Sequence, residues 1–449
     1  MLYGLTKSQI LPNAKDSRNN GKAVRDKIPF SAHAVFNPVN RDPVAIIDEQ
    51  NKNRLPDLLA LRKERMSVSP FTYYRGTAII MANDLAGQTV TGSQLVICGD
   101  AHIGNFGLYA SPERHLIFEL NDFDEAAPGP WEWDLKRLVT SIILAGEDLG
   151  FNKNQIHDAA LQASTYYRLG LRAIMNITSL ERYFVSGDEK LFLDSFSKSS
   201  RMSFEKITEK AKKRTSDQVI KKTTQADQFG RRIFIENPPV LTHLEPELVL
   251  QVEKNYNHYL KSVRPDVKLL LSQHILTDVA RRVVGVGSVG TQCFLLVLTC
   301  EDESHLVLQI KQANESVISR FNRPNFTTPD TLSTKHGHGY RVVSHQQILQ
   351  SASDPFLGHF QTENGLDFYV RQFRDMKGSV ELETLNYDAF KQYVTDCGVV
   401  LARAHAQSRN ANWVTGYLGS SDEFDHAIVT WCDAYAKQIY KDFEIYKKS

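Results

Sequence analysis

Cysteine is scarce in this chain and never paired. Five of its 449 residues are Cys, at positions 98, 293, 300, 397 and 432. None forms a CxxC pair, so the spacing offers neither a zinc site nor a dithiol motif, and the scattered odd set reads as a reducing compartment. Long hydrophobic runs are missing as well. No window approaches about 18 uninterrupted apolar residues, the length that a membrane-spanning helix requires. Charge of one sign is also missing: 53 Lys and Arg against 52 Asp and Glu leave a net charge of +1. That balance argues against a dominant nucleic-acid or membrane-surface field and leaves room only for a local basic patch. The first 27 residues, MLYGLTKSQILPNAKDSRNNGKAVRDK, hold no apolar core of signal-peptide length. The expectation is a cytoplasmic protein; one secreted without a cleavable signal would read the same. There is no internal repeat and no long low-complexity segment.

What is present suits a globular chain with two or three cores, at 42% apolar and 23% charged residues. Residues 1–45, polar and broken by Pro and Gly, read as an extended arm. Residues 45–65 read as helical pieces interrupted at Pro56. SQLVICGD (93–100) and HLIFELNDFDE (115–125) read as two strands that suggest a small hairpin. From Asp134, placed where an N-cap belongs, Leu135, Leu138, Val139, Ile142 and Ile143 follow a helical spacing. Residues 153–265 read as mostly helical, with a basic stretch, KITEKAKKRTSDQVIKK, expected to be a solvated helix face and a Pro-rich loop, IENPPVLTHLEPE. The texture turns to β near 280, with RRVVGVGSVGTQCFLLVLTC and HLVLQIKQA. RVVSHQQILQSA then reads as a helix, LDFYVRQFRD as a strand, and YDAFKQYVTDCGVVLARAHAQS and 422–446 as closing helices. Trp131 and Trp133 read as core. His336 and His338 sit in a Gly-rich run and are given no metal.

Chemistry concentrates in GDAHIGNFGLY and ELNDFDEAAPGPWEWDL. Asp100 and Asn105 stand five residues apart, the spacing of base and metal-binding Asn in D-x-x-x-x-N. Asp122 follows seventeen residues later, at the end of the second strand. Such side chains suit Mg²⁺, which takes carboxylate and carbonyl oxygens beside phosphates. They need a phosphate cradle and a lysine. VVGVGSVGT supplies Gly285-x-Gly287-x-x-Gly290 between two strands, the arrangement that covers ATP phosphates; a plain hairpin with a Gly turn is the bland alternative. Lys311, in LQIKQA, is flanked by apolar residues and must be paired or functional if buried, or else carry its ammonium at a strand edge in water.

GDAHIGNF…NDFDEAAPG…WDL resembles the core of aminoglycoside and choline kinases, relatives of the protein kinases. The resemblance implies an α+β, protein kinase-like two-lobe fold with a mostly helical large lobe. It implies Asp100 as the catalytic Asp, Asn105 and Asp122 as Mg²⁺ ligands, Gly285, Gly287, Ser288 and Gly290 as the nucleotide loop, and Lys311 as the phosphate lysine. The cofactors it implies are ATP, or another nucleoside triphosphate, and Mg²⁺. Motif order differs: catalytic loop and DFD precede Gly loop and lysine, which reads as a circular permutation. VVLARAHAQS (399–408) resembles the helix that leads into the catalytic loop of such kinases, but lies near the C-terminus. Four segments follow: an arm and helical, aromatic segment over 1–92, the catalytic loop, DFD hairpin and helical lobe over 93–265, a β-rich nucleotide lobe over 266–380, and C-terminal helices over 381–449.

Over most of its length the chain also resembles a bacterial family, domain of unknown function 2252, through RMSVSPFTYYRG, GDAHIGNFG, NDFDEAAPGPWEWDLKRL, VVGVGSVGT, LQIKQA, RVVSHQQILQSASDPFLG and FYVRQFRD. Two departures from the kinase pattern stand out. Cys98 replaces the His two before the catalytic Asp, and VVSHQQILQ carries Gln346 and Gln347 but no acid to pair with Lys311. The lysine's partner is then a Gln, Glu315 or Asp122. His102, Asp124, Asp134 and Arg75 are supporting candidates. His102 is a loop cap or a kinase-type His, Asp124 a metal ligand or a turn residue, Asp134 a helix cap tying down the loop, and Arg75 a phosphate contact or a buried ion pair. The leading expectation is an ATP·Mg²⁺-dependent phosphotransferase acting on a hydroxyl of a small molecule or protein. The rivals are AMP transfer on the same fold, a nucleotide-binding pseudokinase scaffold, and a metal-dependent phosphoester hydrolase using Asp100, His102, Asp122 and Asp124. No nucleic-acid or membrane partner is expected.

Overall fold

Alternation along FLLVLTC and LVLQIKQ makes strands with two apolar faces, and both faces are covered. The computed structural model describes residues 13–187, 198–283, 285–287, 289–322, 336–373 and 376–449. Its largest sheet is antiparallel, in the order β11-β12-β10-β9-β8-β7. These strands are β7 (Leu241–His243), β8 (His274–Arg282), β9 (Cys293–Cys300), β10 (His305–Gln312), β11 (Gly358–Gln361) and β12 (Asp367–Gln372). Leu296, Leu298, Leu308 and Ile310 pack on one face with Val252 and Tyr259 of the helix Pro246–Tyr259. Leu295, Val297 and Val307 pack on the other with Val219 and Ile220. The period of two along β9 thus divides its side chains between two cores. The sheet takes its edge strand β7 from the run expected to be only a Pro-rich loop.

The rest of the molecule is mainly helical. The helix Trp131–Asp148 is buried from Trp131 through Gly146, which explains why its apolar stripe continues into Lys136 and Thr140. Helices Lys153–Ile174, Tyr387–His405 and Glu423–Lys448 pack around it, and one large core joins them. Trp131 and Trp133 belong to that core. The basic stretch forms two helices, Lys198–Lys212 and Ser216–Thr223, with Lys212, Lys213, Lys221 and Lys222 exposed. The α+β class is therefore observed. Among the described residues no helix is long and apolar enough to cross a membrane, and all five cysteines are free.

Three local expectations need correction. Strands β1 (Gln94–Ile97) and β3 (Leu116–Leu120) do not form a hairpin. β3 pairs with β2 (Phe106–Ala110), and β1 pairs with β4 (Ala127–Pro130). The apolar run FGLYA is itself a strand, and the turn after it closes with Ser111 and His115 backbone groups bonded at 2.8 Å. The nearer partner in sequence wins because closing the shorter loop loses less entropy. Strand β13 (Gly378–Ser379) extends this small sheet on the other side of β2, and β5 (Thr224–Ala226) pairs with β6 (Arg232–Phe234).

The described part of the N-terminal region is not an extended arm. A helix, Ala14–Ala23, starts at Asn13, whose side chain accepts from Asp16 N. It packs on the helix Ala411–Leu418. Contact is close because a Cβ at Gly21 would meet the Trp413 carbonyl oxygen. Arg25 Nε donates to Tyr417 O at 2.6 Å and Arg18 Nη2 to Met175 O at 2.9 Å. Tertiary hydrogen bonds thus hold a segment whose composition alone does not favour helix. The third correction concerns Asp134: its helix begins at Trp131, after Pro130, and has no side-chain cap.

The N-terminal segment also buries His33, whose Nε2 lies 2.8 Å from Tyr417 OH. Burial, then the charge of Lys136, depresses the imidazole pKa to about 3. The unfolded chain therefore binds this proton below about pH 6.5 while the folded one does not, and stability falls as pH drops through that window. Lowering the pH from 7 to 5 should cost on the order of 2 kcal/mol at this one residue. In thermal melts His33→Gln should lose that part of the acid slope; an unchanged slope would contradict the assignment.

Candidate active site

The loop after β1 is shaped by its neighbours. Gly99 adopts φ 78°, and a Cβ there would lie 2.3 Å from the Glu125 carbonyl oxygen. Asp134, in the first turns of its helix, accepts from Cys98 N at 2.7 Å and from Gly99 N at 2.8 Å. Its expected role in tying down the loop is thus present without the cap. His405 Nε2 sits 3.2 Å from Asp134 Oδ2, and Tyr167 OH 2.8 Å from His405 Nδ1. His405 ends the helix Tyr387–His405, which also packs beside β1. The C-terminal helix therefore reaches the loop that begins near residue 98.

Asp100 is anchored on one side. Arg137 Nε donates to Asp100 Oδ1 at 2.8 Å, and Arg137 Nη2 to Tyr74 O at 2.8 Å. Burial pushes the Asp100 carboxyl above the ordinary range, with Arg137 opposing. His102 Nδ1 accepts from Gly104 N at 3.1 Å, so this residue does cap its loop. Its Nε2 lies 3.9 Å from Asp100 Oδ2. Burial, then Arg75 and Arg137, keep the ring neutral. Asn105 Nδ2 donates to Asp100 O at 2.7 Å, and Tyr393 OH to Ile103 O at 2.6 Å.

After β3 the acidic run meets the large sheet. Cys98 Sγ donates to Asp122 O at 3.2 Å. Lys311, on β10, is 2% exposed. Its ammonium bonds Asp124 Oδ2 directly and lies 4.0 Å from Asp122 Oδ1. Burial alone would lower the Lys311 pKa; Asp122 and Asp124 outweigh it and hold it above the ordinary value. Burial would likewise raise Asp122, but Lys311 and Arg371 bring it below the carboxylate range. Tyr369 OH, opposite Lys311 on β12, donates to Asp124 Oδ1 at 2.8 Å. Of the partners open to Lys311, Asp122 is near, and Asp124 is nearer still. Gln346 instead bonds Gln350. The helix Gly337–Leu349 contributes Arg341, which donates to Ala126 O at 2.7 Å and to Asp124 O and Asn314 O at 2.8 Å.

The Gly turn joins antiparallel β8 and β9. Gly285 and Gly290 have φ of 70° and 92°, conformations that suit glycine. The N-terminal segment grips this turn. Arg65 Nη1 donates to Gly285 O at 2.6 Å, Arg54 Nη1 to Val289 O at 2.5 Å, and Leu55 N to Gly290 O at 2.7 Å. Ser288 lies outside the described residues. A cleft of about 190 Å³ is lined by Asp100, Asn105, Asp122, Asp124, Gly285, Gly287, Arg54 and Arg75. A second cavity of about 780 Å³ is lined by Leu306, Gln309, Lys311, Arg371 and Phe373, and shares Arg75, Asp122 and Gly285 with the first. The turn, the loop and the acidic run thus face one space. Among the described residues no group of three His, Cys, Asp or Glu side chains is placed to hold a metal ion.

A protein-family model described as uncharacterized proteins conserved in bacteria, DUF2252, matches residues 54–449. The chain belongs to that family. No curated protein and no solved structure matches it. The DUF2252 match takes in every site residue named from the sequence.

Three residues that build the site, Arg137, Arg341 and Arg54, were not singled out in the sequence. Arg137, three after Asp134 in WDLKRL, carries a positional signal, since both lie on one helix face. Asp124 was read as a metal ligand or a turn residue, and its pairing with Lys311 was not among the partners considered. Arg341 could not be read as a carbonyl clamp, and Arg54 ends an ordinary polar run. A direct check on the loop is Gly99→Ala. Its Cβ would meet backbone and its φ would be strained, so urea unfolding should show a loss of about 2 kcal/mol or more. A loss under about 0.5 kcal/mol would contradict the close approach of Gly99 to Glu125.

Proposed function

We propose that this protein is an ATP- and Mg²⁺-dependent phosphotransferase of kinase-like, circularly permuted two-lobe architecture, acting on a hydroxyl acceptor. The observation that carries the reading is the meeting of Lys311 with Asp122 and Asp124 beside a Gly turn, across a cleft that also holds Asp100 and Asn105. In protein kinases a Gly-rich loop covers the phosphates and the lysine sits on the third strand. Here the turn joins β8 to β9, and Lys311 follows on β10. On this reading the larger cavity takes the nucleoside and the wall shared by the two cavities takes the phosphates. Asp100 Oδ1 is held by Arg137, leaving Oδ2 to receive the acceptor's proton. Asp122 and Asn105 would hold the magnesium that accompanies the nucleotide. Their oxygens suit it, because Mg²⁺ in such sites needs only one or two protein carboxylates beside phosphate oxygens. When bound it would neutralise phosphate charge. AMP transfer on the same site is the close variant, separated by product analysis.

One observation favours a nucleotide-binding pseudokinase as second reading. The helix Gly337–Leu349 presents Arg341 to Asp124 where an acid would pair with the lysine. The phosphoester hydrolase is disfavoured, because it leaves Lys311 and the Gly turn without a role and finds His102 Nδ1 already bonded to Gly104 N.

Three measurements separate these readings. In calorimetry, MgATP should bind the wild type, and Lys311→Ala should weaken it tenfold or more. Asp100→Asn should lower transfer about 10²–10⁴-fold, the usual worth of a general base, with MgATP affinity kept within about twofold. Burial raises Asp100, so the acid limb of kcat/KM should lie above the ordinary aspartate range and move further up when the opposing charge of Arg137 is removed in Arg137→Gln. Binding of MgATP with no transfer by wild type to small-molecule or protein hydroxyls would select the pseudokinase.

A further inference from the structure

Arg54 and Arg75 both line the cleft, and among the described residues neither makes a salt bridge with a carboxylate; Arg62 lies close enough to Arg54 for their charges to repel. Arg62 donates only to Asn51, Gln50 and the Gly76 carbonyl. Arg54 donates to Val289 O. The Nε atoms of Arg54 and Arg75 are buried and make no hydrogen bond among the described residues. Arg75 stands over the Phe71 ring, with Asp100 as its first electrostatic attraction. Burial, then the charge of Arg62, pulls the Arg54 pKa down to about 9. The desolvated guanidinium groups of Arg54 and Arg62, close together, are costly unless an anion offsets them. Lys311 is matched with Asp122 and Asp124 and Arg137 with Asp100, while Glu125 accepts from Val317 N and, with Asp124, opposes the fall of the Arg54 pKa. Carboxamides of Gln50, Asn53, Gln312 and Asn314 complete the polar wall.

We propose that Arg54 and Arg75 form an anion-binding pair that takes the terminal phosphoryl group of the nucleotide, supplied by the N-terminal segment to the Gly turn. The pair rests on the phosphotransferase reading for its ligand, though not for its anion selectivity. Position favours the terminal phosphate. Arg75 lines both cavities and neighbours Asp100, where the transferred group must arrive. Arg54 lies against the turn at Gly290, and a triphosphate with one Mg²⁺ keeps net negative charge for the two guanidinium groups to offset. Planar guanidinium also suits bidentate phosphate contact. A phosphate or carboxylate carried by the acceptor shares this chemistry, and the test separates the two sources.

The test is calorimetry on the full chain with MgATP, MgADP, AMP and inorganic pyrophosphate, using Arg54→Gln, Arg75→Gln and the double variant. Gln keeps a polar side chain at both positions, and melting curves check folding. The expected result is a tenfold or greater loss for MgATP, a smaller loss for MgADP, AMP affinity within twofold, and no pyrophosphate binding in the double variant. If the double variant does not melt cooperatively, Arg75→Gln alone should show the same pattern. Unchanged MgATP and pyrophosphate affinity overturns the pair. Loss of pyrophosphate binding with MgATP unchanged overturns the nucleotide assignment and moves the anion to the acceptor. Wild-type protein that binds pyrophosphate but no nucleotide, with pyrophosphate binding lost in the variants, supports the anion pair while the phosphotransferase reading fails.

Discussion

A buried ammonium must find a carboxylate, and that constraint organises this molecule. Lys311 lies in the middle of an apolar strand, where an unpaired charge would cost several kcal/mol. Its partners, Asp122 and Asp124, come from a chain segment nearly two hundred residues earlier. The large sheet and the helical core are therefore joined at one charged contact. Arg341 strengthens the junction by holding the carbonyls of Asp124 and Ala126 from one side and Asn314 from the other. Tyr369 completes it from the neighbouring strand. Removing one partner of a buried pair typically costs about 3–5 kcal/mol, a large part of the roughly 5–15 kcal/mol by which a domain is stable.

A second polar chain fixes the loop that carries Asp100 from behind. Tyr167, His405 and Asp134 form a buried relay that ends on the amides of Cys98 and Gly99. It links four separate parts of the sequence, so the position of Asp100 depends on the helix Tyr387–His405 as much as on its own loop. The Gly turn is fixed in the same manner from the N-terminal side by Arg54 and Arg65. Both halves of the proposed site are thus held by residues distant in sequence. Tertiary hydrogen bonds, not local connections, place the parts, which is what the proposed circular permutation requires.

What could be read beforehand follows the same logic. Strands β9, β10 and β12 and the long helices carry apolar runs or a 3.6 period, so their existence was visible, whereas β8 lies mostly ahead of the run read as β and has no such pattern. The motif residues were visible because Asp100, Asn105, Asp122, the glycines and Lys311 lie in short runs with meaningful spacing. The pairing of β1 with β4 was not visible, because FGLYA hid a nearer partner for β3. The Ala14–Ala23 helix was hidden by polar composition, since Arg18 and Arg25 stabilise it only through carbonyls of distant helices. Asp124 as the lysine's nearest partner, and Arg54 and Arg75 on one wall, depend on side-chain directions that spacing does not encode.

On the proposed function, one cleft between sheet and helical core holds a nucleoside triphosphate. A crystal structure with a non-hydrolysable ATP analogue and Mg²⁺ tests it most directly. The account predicts the phosphates between the Gly turn and Lys311, with Asp122 and Asn105 facing the metal and the base in the larger cavity. An analogue bound elsewhere, or phosphates turned away from Lys311 and Asp122, would contradict it.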